Sequence, residues 1–216
     1  YPLGMAMWMA GRQALLAWAE RSDAAMVEDD YDSEFRYGGR PLETLHALDG
    51  SGRVLYVGSF SKSLSLYGER VGALSVVTGR ADESARVLSQ LKRIIRTNYS
   101  NPPTHGGEVA ARVLSNPELR SLWERELGQM RERIKLMRRL LVDKIRSQRS
   151  DFDFSYVLDQ RGMFSYSGLT KAQVHALREK HSIYAVDSGR ICVASLTTAN
   201  VDYVARSIAE VLVTTR

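Results

Sequence analysis

Cysteine is nearly absent from this chain of 216 residues: Cys192 stands alone. A single thiol excludes an internal disulfide framework, a CxxC redox pair and a cysteine-based zinc site. It fits a reducing compartment. Long apolar runs are missing as well. None approaches the ~18 residues of a membrane-spanning helix. The opening Tyr1-Pro2-Leu3-Gly4-Met5 has neither an initiator methionine nor a basic leader, so it is not read as a signal peptide but as the interior of a longer protein. No GxGxxG or GxxxxGK[ST] motif occurs, which leaves nucleotide-loop readings without support. The four histidines (His46, His105, His175, His181) lack metal-ligand spacing, so no metal is assigned. Asp30, Asp32 and Glu34 lack the glycine of a calcium loop. Charge of one sign is not abundant either: 30 basic against 25 acidic residues leave +5, too weak and too dispersed to argue for nucleic acid. There is no internal repeat and no low-complexity tract.

What is present is an ordinary globular composition, 44% apolar and 25% charged. At roughly 150 residues per domain the chain makes one or two domains. An Ala/Leu/Met-rich stretch predicts a helix over 5–20. Short apolar runs ended by polar residues predict buried strands at 24–27, 54–57 and 71–77. Between the first two, Gly38-Gly39, Pro41 and Gly50 mark a loop with one helical turn. Helices are expected at 81–96 and 104–115. Asn116-Pro117 then reads as a cap followed by proline at the first helical position. After it Trp123, Leu127, Met130, Ile134, Met137, Leu141 and Ile145 line one face of a helix of some 30 residues. Strands at 153–158, 162–166, 183–186 and 190–194 and helices at 170–181 and 198–213 complete the pattern. Such alternation means α/β. In such sheets ligands sit beyond the carboxyl ends of strands, where the clusters Asp29–Tyr31 and Ser59–Lys62 are expected to fall.

A lysine in a short polar loop after a buried strand can be partly desolvated, which frees its amine as a nucleophile. Alone, Ser-Phe-Ser-Lys reads as a solvated loop. Its surroundings change that reading. Residues 59–72, Ser-Phe-Ser-Lys-Ser-Leu-Ser-Leu-Tyr-Gly-Glu-Arg-Val-Gly, closely resemble the lysine motif of class I, fold type I pyridoxal-phosphate aminotransferases. The likeness continues through Ile95-Arg96-Thr97-Asn98-Tyr99-Ser100-Asn101-Pro102-Pro103, Arg161 to Gly168 and Ser188 to Ala194. From about residue 57 onward these motifs look like the aspartate and aromatic amino acid branch. The front differs. Tyr1 to Met5, Glu28-Asp29-Asp30-Tyr31-Asp32-Ser33-Glu34-Phe35-Arg36-Tyr37 and Gly38-Gly39-Arg40-Pro41 resemble the aminotransferase-like body of MocR-type regulators. The chain therefore reads as a composite that joins near residues 57–64.

The resemblance implies a partial large, cofactor-binding domain over 1–125 and a C-terminal small domain over 126–216. The cofactor it implies is pyridoxal 5'-phosphate. Lys62 would form the imine with the cofactor aldehyde and later carry the substrate proton. Asp29, with Asp30 beside it as the competing acid, would face the pyridine nitrogen and keep it protonated. Tyr31 would bond the phenolic oxygen. Here one residue separates Asp29 from Tyr31, as in the regulator type; the aminotransferase branch has two. Ser59 and Arg70 would hold the phosphate. Arg190 would clamp the substrate carboxylate, and Arg96 would reach into a partner subunit's site. Read without the resemblance, Arg70 pairs with Glu69, Arg190 is a strand-edge cation, Arg96 is a helix-end cation and Phe164 is core.

The activity implied is transamination between an aromatic or dicarboxylic amino acid and a 2-oxo acid, in a cytoplasmic homodimer. The alternatives are a cofactor- and amine-sensing effector module, with nucleic acid a partner only if a winged-helix head lies upstream, and an inactive fragment. The family's amino-terminal phosphate loop, ring-stacking aromatic and asparagine are not identifiable. A sheet edge and apolar surface are therefore expected to lie open.

Overall fold

The computed structural model describes residues 7–35 and 43–214. The motifs Tyr1 to Met5 and Gly38-Gly39-Arg40-Pro41, with Arg36 and Tyr37, lie outside the described residues. Among those described, 7–34 and 43–125 form one compact unit, and 126–214 with Phe35 form a second.

The first unit opens with α1 (Met9–Arg21), whose Ala and Leu content favours helix. Next comes β1 (Met26–Asp30). A short helix, α2 (Leu45–Leu48), leads to β2 (Val54–Ser59), and a turn leads to β3 (Gly72–Ser75). The sheet order is β1-β2-β3, with β1 parallel and β3 antiparallel to β2. One acid ties this layer together. The Glu28 carboxylate accepts from the backbone N–H groups of Leu45 and His46 at 3.0 and 2.9 Å, capping α2. It also meets the largely buried Arg12 guanidinium at 3.3 Å, and Arg12 donates to the Glu43 carbonyl at 2.8 Å. The expected strand at 24–27 in fact starts at Met26 and continues to Asp30. The acidic cluster thus lies inside the strand, because the ladder needs only backbone groups and β2 stays in register through Gly58 opposite Asp30.

Then follow α3 (Ala81–Asn98) and α4 (His105–Ser115). In α3 the acids Asp82 and Glu83 open the helix and Arg96 closes it, matching the helix dipole. Yet none of its residues is buried, and all four residues of β3 are exposed. The long helix is α5 (Pro117–Gln148). Asn116 Oδ1 accepts from the N–H groups of Glu118 and Leu119 at 2.9 and 3.0 Å, which is the expected cap.

The second unit takes α5 from Glu126 onward. Leu127, Ile134, Met137, Leu141 and Ile145 are buried at three- and four-residue spacing. A short antiparallel pair, β4 (Phe164–Tyr166) and β5 (Arg190–Cys192), flanks α6 (Lys171–His181), and α7 (Val201–Thr214) follows. Thr170 and Gln173 form a reciprocal capping box at the start of α6.

Two expected strands are absent. Over 153–158 the chain makes a 3₁₀ turn, Ser155–Val157: Asp153 Oδ1 accepts from the Ser155 N–H at 2.8 Å, a local bond that competes with a ladder. Residues 183–186 pair with no strand. Ser182 is left-handed (φ 52°) and the Ile183 N–H closes α6 onto the Leu177 carbonyl at 3.1 Å. The strands expected at 162–166 and 190–194 are shorter, and Val193–Ser195 is 3₁₀. Among the described residues no helix is long and apolar enough to cross a membrane.

Candidate active site

Beyond β2 the chain turns sharply. The Leu64 N–H bonds the Phe60 carbonyl at 3.2 Å and the Ser65 N–H bonds the Lys62 carbonyl at 3.2 Å, while the Phe60 N–H reaches the Val71 carbonyl at 3.2 Å. Ser61 and Ser63 are buried on either side of half-buried Lys62. The Lys62 ammonium lies over the ring of buried Tyr31, 4.4 Å from its centroid, a favourable electrostatic contact.

Register assigns the neighbouring side chains to faces. Residues aligned across a ladder share a face, and successive residues alternate. Asp29 aligns with Val57 and Val57 with Leu74; Ser59 aligns with Gly72. Asp29, Val57 and Ser59 therefore share one face. Asp30 takes the opposite face with Tyr56, whose hydroxyl donates to Asp30 Oδ2 at 2.8 Å. Burial, the Asp30 acceptor and nearby acids push the Tyr56 hydroxyl well above its ordinary pKa. Gly72 permits this pairing: a Cβ there would stand 2.5 Å from the Gly58 carbonyl oxygen. Ser59 Oγ accepts from the Ser61 N–H at 3.2 Å.

Each of the three arginines has partners of its own. Arg70 is exposed and left-handed at φ 54°. Its guanidinium folds over the Tyr67 ring and donates to the Tyr67 carbonyl at 3.1 Å. Arg96, in the last turn of α3, donates to Ser100 Oγ at 2.7 Å. Arg190 belongs to the second unit. It starts β5 after Gly189, where a φ of +80° and the 2.7 Å that a Cβ would leave to the Leu169 carbonyl oxygen exclude a side chain. Its guanidinium lies 4.8 Å from the centroid of Phe164, and both line a cavity of about 410 Å³ within that unit.

The structure thus gathers Lys62 and Tyr31 in contact and Asp29 and Ser59 on one sheet face. It turns Arg70 and Arg96 to their own neighbours. Two long-range contacts to segments named above were not legible in the sequence. Trp123 Nε1–H donates to the Ser63 carbonyl at 2.6 Å. Buried Arg138 donates to the Gly162 carbonyl at 2.9 Å and to Ser165 Oγ at 3.2 Å, holding the turn that presents Phe164. Both bonds span distances that local pattern does not reveal. The donor set suits a phosphorylated pyridine aldehyde: an amine in the turn after a strand, a phenol beneath it, and a carboxylate and a hydroxyl that share one face of the sheet. Among the described residues no group of three or more His, Cys, Asp or Glu could hold a metal ion.

The chain is 61% identical over 154 residues to an aspartate aminotransferase of Pseudomonas aeruginosa, covering 71% of this chain and 39% of that protein. It is 51% identical over 154 residues to the aromatic-amino-acid aminotransferase of Escherichia coli, again 71% of this chain and 39% of that protein. Its fold matches the aromatic-amino-acid aminotransferase of Burkholderia pseudomallei, solved covalently bound to pyridoxal phosphate. There the TM-score is 0.86 at 50% identity, covering 98% of this chain and 53% of that one. The chain spans about half the length of such relatives or less. The architecture is that of a partial fold type I, pyridoxal-phosphate-dependent aminotransferase. The family model for aminotransferases of class I and II matches residues 2–208, and the chain belongs to that family.

Proposed function

We propose that the chain carries part of the active site of a pyridoxal-phosphate-dependent aminotransferase that moves an amino group between an aromatic or dicarboxylic amino acid and a 2-oxo acid. The observation that carries this reading is the Lys62 ammonium, in the turn just after β2, 4.4 Å from the centre of the Tyr31 ring, in the unit whose sheet carries Asp29 and Ser59 on one face. Lys62 would hold the cofactor covalently and, once released, act as the base and acid at the substrate Cα. Asp29 is preferred to Asp30 as the partner of the ring nitrogen, because Tyr56 already occupies Asp30. Tyr31 would donate to the ring oxygen and steady the amine. Ser59 would donate to the phosphate, and Arg70 would join it by leaving Tyr67. Bound pyridoxal phosphate supplies an electron sink for the substrate carbanion.

Arg190, on the wall of the cavity beside Phe164, would pair with the substrate carboxylate through its planar fork. Arg96 would serve a second subunit of a cytoplasmic homodimer. The division of the chain after Arg125 supports a partial large domain over 1–125 and a small domain over 126–216. That the relatives named above are enzymes favours turnover over an effector module.

The test is absorption. Pyridoxal phosphate added to the chain should raise a visible band that is lost in Lys62→Ala while the melting temperature holds. A band that persists unchanged in that variant removes Lys62 from its role. Formation of 2-oxo acid from tyrosine or aspartate then separates catalysis from sensing.

A further inference from the structure

The peptide that follows Lys62 is held from far along the chain. Trp123, early in α5, donates its indole N–H to the Ser63 carbonyl oxygen at 2.6 Å across sixty residues of sequence, and both residues belong to the first unit. Ser63 is buried. Its own Oγ has no hydrogen-bond partner, so the side chain does not anchor the turn. Leu64 and Leu66 bond back to Phe60 and Ser65 to Lys62, while the Phe60 N–H at the start of the turn is tied to the Val71 carbonyl. A turn tied at its start can still pivot about that end. A donor from a capped helix, begun by Asn116 and Pro117, stops that rotation. A buried carbonyl deprived of its donor is costly.

We infer that Trp123 is a positioning residue for Lys62: its indole fixes the peptide after the lysine and so sets where the ε-amine stands over Tyr31. The inference rests on the reading of Lys62 as the cofactor-bearing amine, but its first test needs no cofactor. Trp123→Phe keeps the ring and removes the N–H. Hydrogen exchange at the Leu64 and Ser65 amides should quicken about tenfold, the ordinary worth of one hydrogen bond, while β1 amides keep their rates. Leu122→Ala, an exposed neighbour on the same helix, should leave all of them unchanged. Equal rates in wild type and Trp123→Phe, or equal quickening in Leu122→Ala, overturn the inference. If Trp123→Phe does not fold, Trp123→His, which retains a ring N–H, is read against the same control; it should keep exchange slow, and fast exchange overturns the inference.

A second measurement uses pyridoxal phosphate. Borohydride reduction and peptide mapping should place the adduct on Lys62 in the wild type, and the pH midpoint of the visible band should shift in Trp123→Phe and not in Leu122→Ala. An unmoved midpoint also counts against Trp123. No wild-type adduct at Lys62 ends the functional reading and leaves amide exchange to decide the role of Trp123.

Discussion

The two units treat their apolar side chains differently. Of the twelve largest fully buried side chains among the described residues, eleven lie in the second unit, and only Val54 lies in the first. The second unit closes a core of its own from α5, α6 and α7. The first has a paired sheet and amphipathic helices, but Val27 is 67% exposed, Ile94 60% and Leu74 48%. Regular backbone pairing therefore does not require a finished core. Hydrogen-bonded ladders and caps can shape a site while the surface around it stays apolar, which also invites association.

Three experiments test this difference. The largest effect belongs to the second unit. Ile145 is fully buried, so Ile145→Ala should cost about 2–5 kcal/mol in a denaturant titration; a loss under about 1 kcal/mol would mean that this core is looser than its burial. In the first unit, Ile94→Ser should change stability by no more than about 0.5 kcal/mol. It should lower self-association in sedimentation, because an exposed apolar contact is removed without opening a cavity. Unfolding of that unit by Ile94→Ser would show that α3 has partners beyond those described.

The smallest effect concerns pH. His105 Nδ1 stands 2.9 Å from Glu69 Oε2, and that hydrogen bond and charge raise the His105 pKa above 6.5. A raised folded-state value contributes stability that is full below the ordinary histidine pKa and fades as pH rises through the folded value. Proton NMR of His105 should give a midpoint above 6.5 that falls back in Glu69→Gln. A midpoint that ignores that substitution would detach the ring from the acid.

Much of the scaffold was readable because its cause is local. Apolar spacing gave α5, and Asn116-Pro117 marked its start. The failures were local competitions decided by single bonds. Asp153 captured the Ser155 amide, and α6 captured the Ile183 amide, so two alternating or apolar stretches never joined a sheet. At the candidate site, Lys62 was marked by its motif. The choice between Asp29 and Asp30 needed register, since adjacent positions on a strand face opposite ways. Trp123 and Arg138 needed the folded chain.

Arg70 sits in a left-handed turn. A left-handed backbone costs an ordinary L-residue about 1 kcal/mol or more, and glycine would occupy that bend at little expense. The turn instead bears a long cationic side chain at φ 54°. Backbone strain alone would favour glycine here, so Arg70→Gly should relax the bend while giving up the contacts that the guanidinium makes with Tyr67.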